Sequence, residues 1–243
     1  MPVTDAKNVK TLGTILCVGA HPDDETFMAG GLFAIARQNG QRVICVTATK
    51  GEGGSQDLSK WPAATMGQIR SEELAAALKV LDVTEHHWLG YTDGECAKVE
   101  IVQAVQQLTD IMGIAKPDTI ITFGPDGLTG HPDHQAVSQW VSAAVADSAL
   151  KPTVLHAVID PEQFKRYFKP VHDKLNWFFN IASPPLRQAE ECSVRVQNSN
   201  EVCLQKLAAF RAMPSQYEAM FAAFDEPFLT ELFRIEAFVT AKT

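Results

Sequence analysis

The sequence has fewer basic than acidic residues, and nowhere do lysine and arginine cluster into a block. Its 21 Lys and Arg residues are outnumbered by 29 Asp and Glu residues, which gives a formal net charge of -8 at pH 7. Proteins that bind a phosphate backbone normally carry a basic patch, so this composition argues against nucleic acid as a partner. Hydrophobic residues make up 46% of the chain, which is enough to favour a packed core over disorder.

Long apolar runs are also missing. No stretch approaches the roughly 18–20 continuous apolar residues that span a bilayer. The apolar run near the N-terminus stops at His21, and the acidic residues behind it do not fit a signal peptide. The five cysteines contain no CxxC pair, so they predict neither a redox motif nor a zinc ribbon. These features favour a reducing, cytoplasmic location without a membrane span.

Apolar segments rich in β-branched residues alternate with amphipathic segments along the chain. Strands are predicted over residues 14–19, 43–48, 119–123 and 153–159, with a weaker one over 86–89. Helices are predicted over residues 25–38, 66–81, 99–113, 133–149 and 200–212. This alternation predicts an α/β fold, a Rossmann-like, doubly wound, mainly parallel sheet with helices on both faces.

Two parts of the chain do not follow this alternation. Prolines divide residues 161–200 into short pieces, so this segment is expected to be an irregular subdomain or an insertion beside the sheet. Residues 231–240 fit a strand and a helix equally well. Because the sequence contains no internal repeat and no low-complexity tract, the whole chain, 1–243, is expected to form a single domain.

Two loops that each contain His-Pro-Asp carry the chemistry. The first, AHPDDE at 20–25, follows the first strand, and the second, GPDGLTGHPDH at 124–134, follows the strand 119–123. Ligands of open α/β sheets bind at the carboxyl ends of strands, so both loops are expected to reach one crevice. Alone, the first could be an acidic helix cap and the second a structural pair of histidines. Their occurrence together favours a metal site at the C-terminal ends of the strands.

The residue types in these loops suit a catalytic zinc ion. Two histidines and one carboxylate would leave one coordination position open for water. The residual charge near +1 would help lower the pKa of that water towards neutrality. One remaining carboxylate of the first loop could then act as a general base, and His131 could stabilise an oxyanion. Other divalent metals would also bind such a donor set.

The two loops resemble those of the PIG-L/LmbE-like zinc-dependent N-deacetylases, which remove acetyl groups from N-acetylglucosamine conjugates. The resemblance rests on AHPDDE at 20–25 and GHPDH at 130–134. It extends to TKGEGG at 49–54, to Arg70, to Asp93-Gly94 and to Ser215-Gln216, and so covers roughly residues 13–217. A small-molecule amino-sugar conjugate is therefore the expected substrate, and the resemblance also implies assembly into trimers or hexamers.

The resemblance implies a role for each residue of the two loops. His21, Asp24 and His134 would hold one zinc ion per chain. Asp23 would act as the general base, taking a proton from the attacking water and returning it to the leaving amine. A protonated His131 would stabilise the oxyanion.

Outside the two loops, Arg70 and Asp93 would hold hydroxyl or phosphate groups of the substrate. The sequence departs from the family pattern at Met213, where many relatives carry a histidine, and at Thr129, where some carry an aromatic residue. Both departures are expected to alter the substrate pocket.

The sequence leaves one alternative function open and disfavours another. An amidase that cleaves a non-acetyl amide of a sugar or thiol conjugate would use the same metal, water and base. A non-catalytic nucleotide- or sugar-binding Rossmann-like protein is disfavoured, because AHPDDE replaces the GxGxxG turn that would hold a pyrophosphate. Both loops also keep every proposed chemical group, whereas a non-catalytic relative would be expected to have lost one.

Overall fold

The computed structural model describes residues 6–242. Across these residues the apolar segments form a seven-stranded sheet in the order β3-β2-β1-β4-β5-β7-β6. The strands are β1 (Ile15–Gly19), β2 (Val43–Thr49), β3 (Glu85–Tyr91), β4 (Thr119–Phe123), β5 (Thr153–Val158), β6 (Val194–Gln197) and β7 (Ile235–Thr240).

The first five strands run parallel, and the last two add an antiparallel edge. Strands β1, β2 and β4 are buried along their whole length, which explains their continuous hydrophobicity. Strand β7 pairs antiparallel with β5, and β6 pairs antiparallel with β7. The mainly parallel α/β sheet predicted from the sequence is therefore confirmed, and residues 235–240, left undecided between strand and helix, form a strand.

Helices connect the strands. The five predicted helices are present within two residues of their expected bounds, as α2 (Asp24–Gln38), α3 (Met66–Val80), α4 (Ile101–Ala115), α6 (Pro132–Asp147) and α9 (Asn200–Arg211). Shorter ones are α1 (Ala6–Val9), α5 (Gly127–Gly130), α7 (Pro161–Gln163), α8 (Lys169–Leu175), α10 (Pro214–Ala223) and α11 (Glu226–Leu232). Within residues 6–242 no helix combines the length and apolar character needed to cross a membrane.

The helices form two layers. Helices α2 and α3 pack with α9, whereas α4 packs with α6, and α6 lies against β1 and β4. The chain winds outwards from β1 through β2 to β3, then returns to β4 on the other side of β1. Right-handed crossovers in opposite directions place the two helix groups on opposite faces of the sheet. The carboxyl ends of β1 and β4 therefore meet at the switch point where such sheets bind ligands.

Residues 161–200 pack against the sheet. Phe168, Val171 and Phe179 are buried in the same core cluster as the central strands. Pro161 and Pro170 lie in the first turns of α7 and α8, where a proline is tolerated. These prolines start short helices, and a π-helical turn, Phe164–Phe168, connects the two.

Helix α2 is broken shortly after it begins. Ala29 has the non-helical angles φ -147° and ψ 16°. The N–H groups of Gly31 and Leu32 donate to the two carboxylate oxygens of Glu236, each at 2.7 Å. Lys206 Nζ donates to the carbonyl of Phe27 at 2.9 Å. The break separates the start of α2, which follows the loop 20–23 after β1, from the rest of the helix.

Candidate metal centre

Three side chains from the two His-Pro-Asp loops converge where β1 and β4 end. His21 follows β1, Asp24 begins α2, and His134 lies in the first turn of α6. His21 Nδ1 is 3.1 Å from His134 Nε2, and His134 Nε2 is 3.3 Å from Asp24 Oδ1. Asp24 Oδ2 is 3.7 Å from His21 Nδ1. The structure thus brings together the three residues that the sequence predicts as metal ligands.

The surroundings of His134 favour a neutral ring with its proton on Nδ1. Its Nδ1 lies 3.0 Å from the carbonyl oxygen of Gly127, which only an N–H can bond, so Nε2 carries the lone pair. The ring stacks on Phe123 with centroids 4.0 Å apart. Burial lowers the pKa of His134 to about 4 and outweighs the raising effect of Asp24. The unprotonated Nε2 that a metal requires therefore faces His21 and Asp24.

His21 is oriented by two carboxylates on the far side of its ring. Its Nε2 lies 3.1 Å from Asp93 Oδ1 and 3.3 Å from Asp133 Oδ2. Burial lowers the pKa of His21, but the hydrogen bonds to Asp133 and Asp93 outweigh it and raise the pKa to about 10. Such outer carboxylates fix the ring tautomer with a proton on Nε2 and make the other nitrogen a stronger metal ligand.

Asp24 has one carboxylate oxygen that is hydrogen-bonded to the backbone and another that is directed at His134. Oδ2 accepts hydrogen bonds from the N–H groups of Ala20 and His21, at 2.9 and 2.7 Å. Oδ1 faces His134 Nε2. The two ring nitrogens and the Asp24 carboxylate thus lie close together, an arrangement that a bound cation would stabilise. The donor set fits a divalent metal with nitrogen and oxygen ligands.

Two further groups of three side chains could hold a metal ion. In each group, one donor atom from every residue lies within 4.8 Å of the other two. The two groups are His21 with His131 and His134, and His21 with Asp93 and Asp133. His131 therefore lies close enough to the centre to act on any group bound there. Asp93 and Asp133 instead contact His21 through Nε2, on the ring edge that faces away from His134.

Asp23 lies beside this centre in a strained conformation. Its φ of 137° is one that non-glycine residues rarely adopt, and such strain is concentrated at functional sites. Oδ2 is 3.2 Å from Arg70 Nη2 and 3.3 Å from the hydroxyl of Tyr217. Burial raises the pKa of Asp23 to about 6 and outweighs the lowering effect of Arg70. A carboxylate with this pKa can exchange a proton near neutral pH.

The Arg70 side chain packs against the glycine-rich loop that follows β2, and its guanidinium contacts Asp23. Its side chain is buried, and it donates to the carbonyl oxygens of Pro22 at 2.9 Å and Gly51 at 3.2 Å. A Cβ atom added at Gly51 or Gly54 would lie only 2.2 or 2.4 Å from Arg70 Nη1. Glycine at these two positions therefore leaves the space that the guanidinium occupies.

Asp93 and His131 complete the set of predicted site residues. Asp93 accepts a hydrogen bond from the N–H of Gly53 at 2.8 Å. Burial opposes ionisation of Asp93, but the hydrogen bond from His21 lowers its pKa well below the ordinary range. The pKa of His131 is lowered, first by burial and then by the charge of His21. Both effects favour the neutral ring, whereas the family resemblance implies a protonated one.

His131 can nevertheless donate a hydrogen bond. Its Nδ1 accepts from the N–H of Asp133 at 3.2 Å, so in the neutral ring the proton lies on Nε2. The ring stands edge-on to that of His21, with centroids 4.6 Å apart. A neutral N–H donor is therefore available beside the candidate ligands.

All seven predicted site residues line one cavity of about 450 Å³, a size typical of small-molecule sites. They are His21, Asp23, Asp24, Arg70, Asp93, His131 and His134. Thr129 also lines the cavity, and its hydroxyl lies 3.2 Å from His134 Nδ1. Met213 is 1% exposed and is not among the lining residues, so an effect of this position on the pocket would have to pass through the residues that Met213 packs against.

Sequence reasoning missed Asp133 and Tyr217. Asp133 is fully buried and accepts hydrogen bonds from the N–H groups of Gly94 at 2.7 Å and Cys96 at 3.1 Å, besides contacting His21. Its position between the two histidines of GHPDH was a usable signal. Tyr217 directly follows the Ser215-Gln216 pair, but nothing in its local sequence indicates that it reaches Asp23.

Comparison with known proteins gives a family match for the segment that carries both loops. The family model PIG-L, described as GlcNAc-PI de-N-acetylase, matches residues 16–145. A relative from Actinosynnema mirum is 30% identical over 226 residues, covering 83% of this chain and 80% of its own length. That relative is named 1D-myo-inositol 2-acetamido-2-deoxy-alpha-D-glucopyranoside deacetylase.

Solved structures share the fold. The N,N'-diacetylchitobiose deacetylase from Pyrococcus horikoshii superposes with a TM-score of 0.66 at 23% identity, covering 96% of this chain and 85% of that one. The 4-carboxy-2-hydroxymuconate hydratase from Pseudomonas putida KT2440 gives a TM-score of 0.63 at 16% identity, covering 95% and 97%. The second likeness illustrates that this fold supports more than one reaction, so function has to be argued from the site.

Proposed function

This chain belongs to the PIG-L family of GlcNAc-PI de-N-acetylases, and from that premise we propose a zinc-dependent hydrolase that removes the acetyl group from an N-acetylated amino sugar or its conjugate. One observation carries the proposal. His21 Nδ1, His134 Nε2 and the Asp24 carboxylate lie within 3.7 Å of one another beside Asp23, in a cavity large enough for a sugar.

His21, Asp24 and His134 would hold the metal, one ion per chain. When bound there, zinc would lower the pKa of a water molecule and polarise the carbonyl of the amide. Asp93 and Asp133 would keep the His21 ring oriented through its Nε2. Gly127 would do the same for His134 through its carbonyl oxygen.

Asp23 would act as the general base. Arg70 and Tyr217 hold its Oδ2, which leaves Oδ1 to take a proton from the attacking water. The carboxyl group then returns this proton to the amine as the C–N bond breaks. Acid–base help of this kind contributes about 10²–10⁴-fold to the rate.

His131 would donate a hydrogen bond to the oxyanion that forms as water adds to the amide carbonyl. Its neutral Nε2–H suffices for this role, and one such donor contributes about 10²–10³-fold. Among the residues lining the cavity, Arg70 is the one permanently charged cation. Because that guanidinium is directed at Asp23 and two backbone carbonyls, a neutral sugar fits the cavity better than a phosphorylated one.

The location and assembly of the protein belong to the same proposal. We infer a cytoplasmic protein, because all five cysteines are free and buried, as in a reducing compartment. One large core cluster contains buried residues from Val9 to Phe238, which supports a single domain over 1–243. Trimeric or hexameric assembly rests on the family resemblance, and sedimentation velocity would test it.

The proposed activity is tested by measuring acetate release from N-acetylglucosamine and its glycosides by the zinc-loaded protein. Matched substrates with a propionyl or larger acyl group separate a deacetylase from a more general amidase. Release of acetate in preference to the larger acids is expected. Cleavage of the larger amides alone would replace the deacetylase with the alternative amidase.

A further inference from the structure

The break in α2 separates the residues of the metal centre from the rest of the helix. Asp23 precedes the helix, Asp24 is its first residue, and the non-helical angles occur at Ala29. The N–H of Phe27 donates to the carbonyl of Asp23 at 2.8 Å. The proposed base and one candidate ligand therefore belong to a short turn that ends at the break, and the position of Phe27 is linked to that of Asp23.

A buried ion pair is inserted into the helix at the break. In a continuous helix, the N–H of Gly31 would donate to the carbonyl of Phe27, four residues earlier. Here the N–H of Gly31 donates to Glu236 at 2.7 Å, and the carbonyl of Phe27 accepts from Lys206 Nζ at 2.9 Å. Lys206 Nζ lies 2.5 Å from Glu236 Oε1. The ion pair thus connects the two backbone groups, and such an insertion is a known cause of helix kinks.

Each charge lies at the helix end that favours it. Glu236 also accepts from the N–H of Leu32, so its carboxylate caps the N-terminal end of the segment after the break. The ammonium group of Lys206 caps the carbonyl end of the turn before the break. Helix dipoles favour a negative charge at the first of these ends and a positive charge at the second. The pair therefore stabilises both helix ends at the break.

The surroundings of the ion pair hold it in one arrangement. The side chains of Lys206 and Glu236 are 1% and 2% exposed. Lys206 Nζ lies 5.1 Å from the ring centroid of Phe233 and 6.0 Å from that of Phe210. A Cβ atom added at Gly30 would lie 3.3 Å from Lys206 Cγ, so glycine at this position leaves space for the lysine stem.

The ion pair also ties the break to the sheet. Glu236 lies on β7, which pairs with both β5 and β6. Lys206 lies on α9, which packs against α2 and α3. The carbonyl of Phe27 is therefore held, through Lys206 and Glu236, at a set position relative to the strands.

We propose that Lys206 and Glu236 are positioning residues for the hydrolytic reaction, because they set the orientation of the turn that carries Asp23 and Asp24. Neither side chain lines the cavity of the metal centre, so their effect passes through this turn. The inference rests on the proposed function, since it concerns the base and a ligand of the same site. A pair that only stabilised the fold would change neither metal affinity nor kcat.

The experiment compares the wild type with Lys206→Met and with the double variant Lys206→Met/Glu236→Gln. Both variants leave the carbonyl of Phe27 without its donor. The double variant leaves no buried charge unpaired, so it should be the more stable of the two.

The matched control is Met112→Ala, which destabilises the core by leaving a cavity. Met112 lies in the last turn of α4, which leads to the amino end of β4, whereas the metal centre lies at the carboxyl ends of the strands.

Four properties are measured for each protein. They are the dissociation constant for zinc, obtained by competition with a chelating dye, the visible absorption spectrum of the cobalt-substituted protein, kcat and KM for acetate release from N-acetylglucosamine, and the midpoint of urea denaturation. The cobalt spectrum reports on ligand geometry, which a loss of stability alone does not change.

Both variants at position 206 are expected to bind zinc about 10-fold more weakly, as when a partner that orients a metal ligand is removed. Their cobalt spectra should differ from that of the wild type. Their kcat should fall about 10²-fold with little change in KM, the loss expected when a reacting group shifts by about 1 Å. Met112→Ala should lose stability but keep the zinc affinity, spectrum and kcat of the wild type.

Two results would overturn the inference while leaving the deacetylase function intact. One is wild-type zinc affinity, cobalt spectrum and kcat in the folded double variant. The other is the same set of changes in Met112→Ala, which would mean that they follow stability. A wild type that binds zinc but releases no acetate would instead contradict the proposed deacetylase, while zinc affinity and the cobalt spectrum would still test the positioning role.

Discussion

Arg70 Nη2 lies 3.2 Å from Asp23 Oδ2, and the arginine side chain is only 5% exposed. The guanidinium is therefore directed at the proposed base, whereas the sequence predicts a contact with the substrate. If Arg70 holds Asp23 in place, Arg70→Lys should lower kcat about 10²-fold, the loss expected when a reacting group shifts by about 1 Å, with little change in KM.

Steady-state kinetics of acetate release check this prediction. Arg42→Lys is a suitable control, because Arg42 pairs with Glu85 at the surface, where both side chains are about 40% exposed. A large rise in KM at unchanged kcat in Arg70→Lys would restore the role in substrate binding.

Asp23→Asn separates the base from the metal ligands. The amide keeps the shape of the carboxylate but cannot take up a proton, so kcat should fall about 10²–10⁴-fold. Metal content should stay at the wild-type level, because the carboxylate of Asp24, and not that of Asp23, contacts His21 and His134. Elemental analysis beside the kinetics tests both expectations, with Asp57→Asn on an exposed turn as the control. Loss of metal together with activity would show that Asp23 belongs to the ligand set.

The ion pair of Lys206 and Glu236 is expected to stabilise the broken helix α2. Its atoms lie 2.5 Å apart, and the two side chains are 1% and 2% exposed. Lys206→Met would leave the carboxylate buried without a counter-charge, which costs about 3–5 kcal/mol in the free energy of unfolding. Adding Glu236→Gln should recover part of this loss.

Urea denaturation measures these free energies of unfolding. The control is Lys60→Met, which breaks an exposed pair with Glu218 and should cost less than about 1 kcal/mol. Equal losses of unfolding free energy in Lys206→Met and Lys60→Met would contradict the stabilising role of the buried ion pair beside the break in α2.

His86 makes the stability of the fold depend on pH. Burial, and then the charge of His87, lowers its pKa to about 4, and its Nε2 lies 2.9 Å from the hydroxyl of Thr47. Below about pH 6.5 His86 is protonated in the unfolded chain. In the folded protein it stays neutral until the pH falls to about 4. The stability contributed by neutral His86 is therefore present above pH 6.5 and lost as the pH falls towards 4.

The matched variant is His86→Gln, which keeps a polar group near Thr47 but does not titrate. Urea denaturation between pH 7 and pH 4.5 should show a steeper loss of stability in the wild type than in the variant. Parallel curves would mean that His86 does not contribute to the acid sensitivity.

The parts of the fold predicted from sequence are those whose burial is uniform. Strands β1, β2 and β4 are covered on both faces, so their apolar runs are unambiguous. Strand β3 is at the edge of the sheet and mostly half-exposed, and its weak pattern revealed only the central part. Strand β6 has four residues, too few to show a pattern. Pro161 and Pro170 led to the prediction of an irregular segment, because the local sequence does not distinguish a proline that begins a helix from one that breaks a helix.

The candidate site combines residues of two short sequence motifs with residues that are far from these motifs in the sequence. His21, Asp24, His131 and His134 lie in two short motifs, and the switch point of the sheet explains why these meet. Tyr217 reaches Asp23 across a separation of 194 residues, which only the packing of α10 provides. The two motifs were therefore recognisable in the sequence, whereas the contact between Tyr217 and Asp23 was not.

The metal content of the protein shows whether the two His-Pro-Asp loops form a metal site. Mass spectrometry should be performed on dialysed, zinc-reconstituted wild type and on His21→Ala and His134→Ala, with His156→Ala as the control outside the cavity. We expect about one zinc ion per chain in the wild type and in His156→Ala. We expect none in His21→Ala and His134→Ala. A wild type that binds no metal after reconstitution, or His21→Ala and His134→Ala variants that keep it, would contradict the assignment of His21, Asp24 and His134 as the metal site.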